Sequence, residues 1–341
     1  MSSGFGFYRP GEDPPPGRVP PGDGANPTDQ ARVTLAEDAE IDLTQDTAAI
    51  EVQKVMDEID AELVGLANVK KRIAEIAALL MVDRARAQFG LSSSRPTLHM
   101  SFTGSPGTGK TTVALRMAQI LHALGYLAKP TVHMVGRDDL VGQFIGHTAP
   151  KTKQAIARAA GGVLFIDEAY NLYRAENERD YGQEAIEILL AEMESERSSL
   201  AVIFAGYADR METFFSANPG LSSRVAHHIA FDDYTTAELA QIAERMLAKD
   251  EYVFDEGART AFAEYLEVRV HQPRFANARS IRNALERARL RHANRLVGLG
   301  RPVSLAELRT LTEADIRTSS VFDAPTRTTA VASVHQDEDT S

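Results

Sequence analysis

The sequence predicts an α/β fold: a five-stranded parallel sheet wrapped by helices, followed by a smaller helical domain. Three observations predict it. Short apolar runs alternate with stretches of helical periodicity between residues 47 and 231. The runs are near-continuously apolar, as strands covered on both faces are. Beyond residue 236 only helical patterns remain, to about residue 317.

The elements follow in chain order. Residues 1–30 carry seven of the fifteen prolines and few large apolar groups. Such a segment cannot bury enough surface to offset its chain entropy, so 1–45 is expected to be disordered. The stretch "AAIEVQKVMDEIDAELVGL" places Ile50, Val52, Val55, Met56, Ile59 and Leu63 at mostly helical spacing. "NVKKRIAEIAALLMVDRARAQFG" reads as a second helix that stops at Gly90. Four strands are then expected at "LHMSF" (98–102), "VHMV" (132–135), "VLFID" (163–167) and "LAVIFAG" (200–206). A fifth, "HHIAF" (227–231), would turn His227 and His228 to opposite faces. Thr235 or Thr236 then caps the next helix. The expected organisation is a disordered extension at 1–45, an α/β domain at 46–234, a helical domain at 235–317 and an acidic disordered tail at 318–341.

Composition narrows the function. There is no cysteine, which excludes a disulfide framework, a thiolate metal site and a cysteine nucleophile. The N-terminus lacks a basic and an apolar region of the secretory kind, and no stretch approaches the length of a membrane span, so a cytoplasmic protein without membrane contact is expected. The net charge is −11, but residues 1–50 contribute −6 and residues 318–341 contribute −3. The working part of the chain is near neutral, which argues mildly against nucleic acid as a partner. No two histidines have metal-ligand spacing.

One stretch carries chemistry directly. "GSPGTGKTT" comprises Gly104, Ser105, Pro106, Gly107, Thr108, Gly109, Lys110, Thr111 and Thr112. It fits G-x-x-x-x-G-K-[ST] without exception and sits between a predicted strand and a predicted helix. Glycines let backbone N–H groups converge on phosphates, and the helix N-terminus adds partial positive charge. Lys110 is then expected to reach the β- and γ-phosphates of ATP, and the Thr111 hydroxyl to ligate Mg²⁺. "GGVLFIDEAY" supplies the complement. Asp167 at the strand end is expected to hold Mg²⁺, and the adjacent Glu168 to polarise the attacking water.

These two motifs, the helical region after 235 and "NPGLSSRV" (218–225) resemble the AAA+ ATPases. The resemblance implies that Arg224 reaches the ATP of a neighbouring subunit, and that Arg279 in "FANARSIRNAL" senses the nucleotide from the lid, with Arg282 as the alternative. Where the family usually has a sensing Asn, this chain has Tyr207, and Asp209 is a candidate to share that role. Phe144-Ile145-Gly146 matches the aromatic–apolar–Gly triplet that remodelling members point into a central pore, and Gly142 and Gly146 suit a mobile loop.

"GQFIGHTAPKT", "GGVLFIDEAYNLYRAENERDYGQEAIEILL", "FAGYADRMETFF", "NPGLSSRVAHHIAF" and "ANARSIRNALERARLRHANRL" together resemble the CbbX family of red-type rubisco activases. That resemblance implies a homo-hexameric ATPase that engages the C-terminal tail of the large subunit of form I red-type rubisco. It would release inhibitory sugar phosphates and be activated by ribulose 1,5-bisphosphate. Phe144 departs from the family's usual Tyr, and the N-terminal extension is long. Arg269, His271 and Arg274 form a basic cluster that is a candidate effector site. Two alternatives stand beside this reading. One is a sporulation- or type VII secretion-type chaperone of the same subfamily. The other is a nucleic-acid motor or clamp loader, which would need basic pore residues in place of Phe144-Ile145-Gly146.

Overall fold

A computed structural model describes residues 35–36, 38–91, 96–173, 181–195 and 199–322. Two helices lead in, α1 (Thr47–Glu62) and α2 (Ala67–Gln88). The apolar stripe of α1 (Val52, Val55 and Ile59) is buried, as its spacing requires. Then come β1 (Met100–Gly104), α3 (Lys110–Ala123), β2 (Val132–Val135), α4 (Arg137–Leu140), α5 (Thr148–Ala159) and β3 (Val163–Ile166). A 3₁₀ turn, Ala169–Leu172, follows β3. The α/β domain closes with α6 (Gly182–Met193), β4 (Ala201–Gly206), α7 (Ala208–Ala217), α8 (Pro219–Arg224) and β5 (His227–Phe231).

The five strands form one parallel sheet in the order β2-β3-β4-β1-β5. Met100 of β1 lies between Ile203 of β4 and His227 of β5. The sheet separates two apolar cores. Phe165 and Ile203 face one; their neighbours Leu164, Val202 and Phe204 face the other. That split is the period of two along a strand, and it explains why β3 and β4 read as unbroken apolar runs. The edge strand β5 alternates instead, with His227 buried and His228 exposed, as its sequence predicts.

The second unit holds α9 (Thr236–Lys249), β6 (Val253–Phe254), α10 (Glu256–Arg269), α11 (Asn277–Gly298), α12 (Leu305–Arg309), β7 (Thr310–Leu311) and α13 (Glu313–Arg317). Thr235 caps α9 in a box with Glu238. The region is not purely helical as expected, because β6 and β7 pair in parallel. Two-residue strands are too short to leave an alternating trace in sequence.

The expected boundaries also shift. The Leu35 N–H donates to the Gln88 carbonyl (2.9 Å), and Asp46 pairs with Arg84 (3.5 Å), so the chain joins α2 well before residue 46. The rest of the predicted 1–45 extension lies outside the described residues. At the other end Val321 and Phe322 pack on the core, Gln272 Nε2 donates to the Val321 carbonyl (3.2 Å) and Phe322 meets Tyr265 edge-on, so the unit runs to 322 rather than 317. The remainder of the predicted acidic tail lies outside the described residues.

Asp315 ties the second unit together. It is 2% exposed, takes a two-point pair from Arg295 (3.0 and 2.9 Å) and accepts from the Thr312 N–H (2.8 Å) and hydroxyl (2.9 Å). Burial opposes its charge, but Arg295 and Thr312 outweigh burial and hold the carboxyl below its ordinary value. A lowered carboxylate contributes stability above its unfolded value and loses it as pH falls through the folded one. Asp315→Ala should therefore destabilise the protein by about 2 kcal/mol at pH 7, since Arg295 stays partly solvated. The penalty should shrink below about pH 4, as read from urea midpoints across pH.

Candidate functional site

The phosphate loop follows from its strand. β1 delivers Gly104 with φ 147°, and the loop turns through Gly107 (φ 76°) and Gly109 (φ 97°) into α3. These angles lie where a side chain is strained. Space forbids one as well: a Cβ at Gly104 would sit 2.3 Å from the Phe231 carbonyl of β5. At Gly107 it would sit 2.3 Å from the Ala276 carbonyl, just before α11. Thr108 is fully buried, and its hydroxyl donates to the Ser105 carbonyl (2.9 Å), so it shapes the loop from within.

A cleft of about 310 Å³ opens beside this loop. Gly104, Pro106, Gly107, Gly109, Lys110, Thr111 and Thr112 line it from the loop and α3. Asp167 and Glu168 line it from the end of β3, Gly206 and Tyr207 from the end of β4, and Ala278, Arg279 and Arg282 from α11. Ser105 and Thr108, also predicted, are absent from this lining. Lys110 Nζ donates to the carbonyls of Gly104 (2.9 Å) and Ser105 (2.8 Å), which holds the ammonium over the loop. Burial pushes the Lys110 ammonium below its ordinary value; Asp167 and Asp233 oppose that shift, and Arg279 adds to it.

The cleft thus sets two carboxylates against cations from the loop and from the lid. Thr111 and Asp167 are hard oxygen donors lining the same cleft, and a magnesium ion needs few such ligands when phosphates and waters complete its shell. The donor chemistry fits. Both candidate lid arginines, Arg279 and Arg282, reach the same cavity.

The other predicted residues fall elsewhere. Tyr207, in place of the usual Asn, lines the cleft, and the Arg210 guanidinium lies over its ring (5.4 Å) and over that of Tyr170 (5.1 Å). Asp209 is exposed in the first turn of α7 and is not part of the lining, so it does not share Tyr207's place. Arg224, on α8, is also away from the lining of its own chain's cleft. It pairs with Glu194 and donates to the Gly220 carbonyl (2.7 Å). Arg269 spends its guanidinium on the carbonyls of Gln272 (3.4 Å), Pro273 (3.3 Å) and Arg274 (3.2 Å), which closes the turn after α10. His271 and Arg274 are exposed beside it.

Phe144 and Ile145 are 64% and 84% exposed, the latter the most exposed large apolar side chain among the described residues. They crown a tight turn between α4 and α5. The Gly142 N–H donates to the buried Thr148 hydroxyl (3.0 Å), and Phe144 meets His147 edge-on. Gly142 does not serve mobility as its sequence suggests. A Cβ there would lie 2.5 Å from that of His147, so it permits close packing, whereas Gly146 (φ 81°) meets nothing and supplies the turn.

Besides the lining residues Phe165, Gly206 and Ala278, two residues that brace the loop, Asn277 and Tyr234, were missed in the sequence. Asn277 is 1% exposed with φ 43°. Its carboxamide donates to Asp233 (2.8 Å) and the Pro106 carbonyl (3.4 Å) and accepts from the Tyr234 N–H (3.1 Å). Tyr234 in turn donates its hydroxyl to the Thr108 carbonyl (3.2 Å), and burial, then Glu238, pushes that hydroxyl up to about 12. An Asn opening a predicted helix is a usable signal, because Asn takes positive φ more readily than most residues, but its partners lie far away in the chain.

Comparisons with known proteins agree with this geometry. The model of the ATPase family associated with various cellular activities (AAA) matches residues 100–233, and that of the AAA lid domain matches residues 235–325. Protein CbbX of Cereibacter sphaeroides is 60% identical over 283 residues, 83% of this chain and 92% of that one. The chloroplastic ribulose bisphosphate carboxylase/oxygenase activase of Cyanidioschyzon merolae is 57% identical over 283 residues, 83% of this chain and 99% of that one. Among solved structures, a RuvB mutant of Thermotoga maritima aligns with a TM-score of 0.52 at 19% identity, covering 77% of this chain and 71% of that one, which is a likeness of fold alone. A nucleotide cleft between sheet and lid, with relatives this similar along most of their length, makes the chain an ATPase of the AAA+ class, and it belongs to the CbbX family of red-type rubisco activases.

Proposed function

We propose that this ATPase remodels rubisco: it engages the C-terminal tail of the large subunit of form I red-type rubisco and uses hydrolysis to release inhibitory sugar phosphates. The observation that carries this reading is the exposed Phe144-Ile145 pair on a turn rooted in the same domain as the ATP cleft. Two large apolar side chains in water bind a polypeptide weakly and without sequence preference, which a pulling loop requires. The name of the Cyanidioschyzon merolae relative supports rubisco as the target. Activation by ribulose 1,5-bisphosphate and assembly as a homo-hexamer belong to the same proposal. The Arg269 turn is spent on backbone carbonyls, so the effector is not assigned to it.

The chemistry proposed for the cleft is in-line hydrolysis. Lys110 binds the β- and γ-phosphates. Glu168 accepts the proton of the attacking water, whose oxygen bonds to the γ-phosphorus as the bond to the β–γ bridging oxygen breaks, leaving ADP and phosphate. Magnesium, held by Thr111 and Asp167, would neutralise charge on the phosphates. Arg279 and Arg282 carry lid position to the nucleotide. Arg224 acts on the neighbouring subunit's ATP, where a cation stabilises charge on the transferring phosphoryl group.

Lys110→Ala should abolish hydrolysis and weaken ATP binding. Glu168→Gln should keep binding and lose at least about 10²-fold in single-turnover rate, because the amide cannot take the proton. Hydrolysis by the Gln variant at the wild-type rate rules out that role.

Arg224→Ala subunits should bind ATP normally yet hydrolyse it poorly as assemblies. Mixed with Lys110→Ala subunits, they should recover activity at interfaces where one subunit keeps its loop and its neighbour keeps the arginine. Full activity of the Arg224→Ala assembly alone removes the arginine from the reaction.

Phe144→Ala should assemble and bind ATP but fail to reactivate inhibited rubisco, whereas Phe144→Tyr should work because it keeps the ring. Reactivation by Phe144→Ala at the wild-type rate would remove Phe144 from the work on rubisco.

A further inference from the structure

Glu168 cannot hold its own conformation. Its φ of 48° lies in the left-handed region, which a residue with a Cβ adopts only when its surroundings hold it there. Three hydrogen bonds do so. The Glu168 N–H donates to Asp167 Oδ1 (3.0 Å), and the Asn171 N–H donates to the Glu168 carbonyl (2.8 Å). Asn171 Nδ2 donates to Glu168 Oε2 (3.0 Å). Asn171 therefore grips both the backbone and the carboxylate of the residue before its own 3₁₀ turn. The Oε2 oxygen of the carboxylate is thereby turned to the Asn171 amide.

Asn171 is itself anchored from a distant part of the chain. Arg137 Nη1, at the start of α4, donates to the Asn171 carbonyl (2.6 Å). Gly182 makes room for this contact: a Cβ there would lie 2.9 Å from Arg137 Nη1 and 2.0 Å from the Leu172 carbonyl. α4 leads straight into the turn that bears Phe144, so the anchor sits at the root of that turn.

We propose that Asn171 is the positioning residue for Glu168, selecting which carboxylate oxygen meets the attacking water, and that Arg137 holds Asn171 in place for it. This rests on the reading of Glu168 as the residue that accepts the water's proton. An aimed carboxylate matters in the transition state more than in the ATP-bound ground state, so the effect belongs in kcat and not in KM.

The test is steady-state ATP hydrolysis by the assembled full chain. Asn171→Leu keeps the branched shape and removes the donor. Its kcat should fall by about tenfold, with KM for ATP within about twofold and an unchanged melting temperature. Asn171→Gln, which restores an amide donor on a longer stem, should recover most of the loss. Asn171→Ala is measured in the same way in case the Leu variant does not assemble. Arg137→Ala should lower kcat in the same sense, and the double variant with Asn171→Leu should be no slower than the slower single. Wild-type kcat in Asn171→Leu and Asn171→Ala, with Glu168→Gln inactive, overturns the positioning role and leaves the base in place. A Gln variant as slow as the Leu variant also overturns it. Losses that multiply in the double variant show that Arg137 does not act through Asn171. Wild-type hydrolysis by Glu168→Gln removes the base itself.

Discussion

At Gly104 and Gly107 the phosphate loop is pressed against two other parts of the chain at once. On one side stands the backbone of β5, on the other the backbone before α11, each within 2.3 Å of where a Cβ would be. The contact is backbone against backbone, so neither side can yield by rotating a side chain. The sheet and the lid are therefore positioned by the loop. The Ala278 N–H donates to the Gly107 carbonyl (3.2 Å), which makes the lid's longest helix part of the loop's own hydrogen bonding.

The same constraint governs the electrostatics. Lys110 sits over the loop while Arg279 and Arg282 arrive from the lid, so the cations that line the cleft come from both units. Two helix N-termini, those of α3 and α11, meet at this place and add partial positive charge. Asp167 and Glu168 complete the cleft from the centre of the sheet. A cleft whose charges belong to two bodies reports their separation to whatever it binds, which is what an ATPase that does mechanical work needs.

Asn277 turns this contact into a defined joint. It bonds to Pro106 in the loop, to Asp233 and Tyr234 in the connection and lies at the start of α11 in the lid. A buried carboxamide satisfied by three partners from two other segments has one arrangement that meets all its bonds. Tyr234, bonded to Thr108, sets the same joint from the connecting segment.

The strands, the phosphate loop and the acidic pair are legible in the chain alone, because each depends on residues adjacent in it. Five apolar runs became five strands, and the glycines of the loop stand where positive φ is required. The remaining features join residues far apart in the chain. That Asn277 binds the loop, that Arg137 reaches Asn171 and that Arg269 is consumed by its own turn are facts of packing. In sequence Asp209 is a candidate to share the place of Tyr207; only the end of β4 shows that Tyr207 lines the cleft while Asp209 lies on exposed helix. Gly142 looked like a source of mobility and is a point of close approach, because a missing side chain reads the same in sequence whether it frees a turn or makes room for a neighbour.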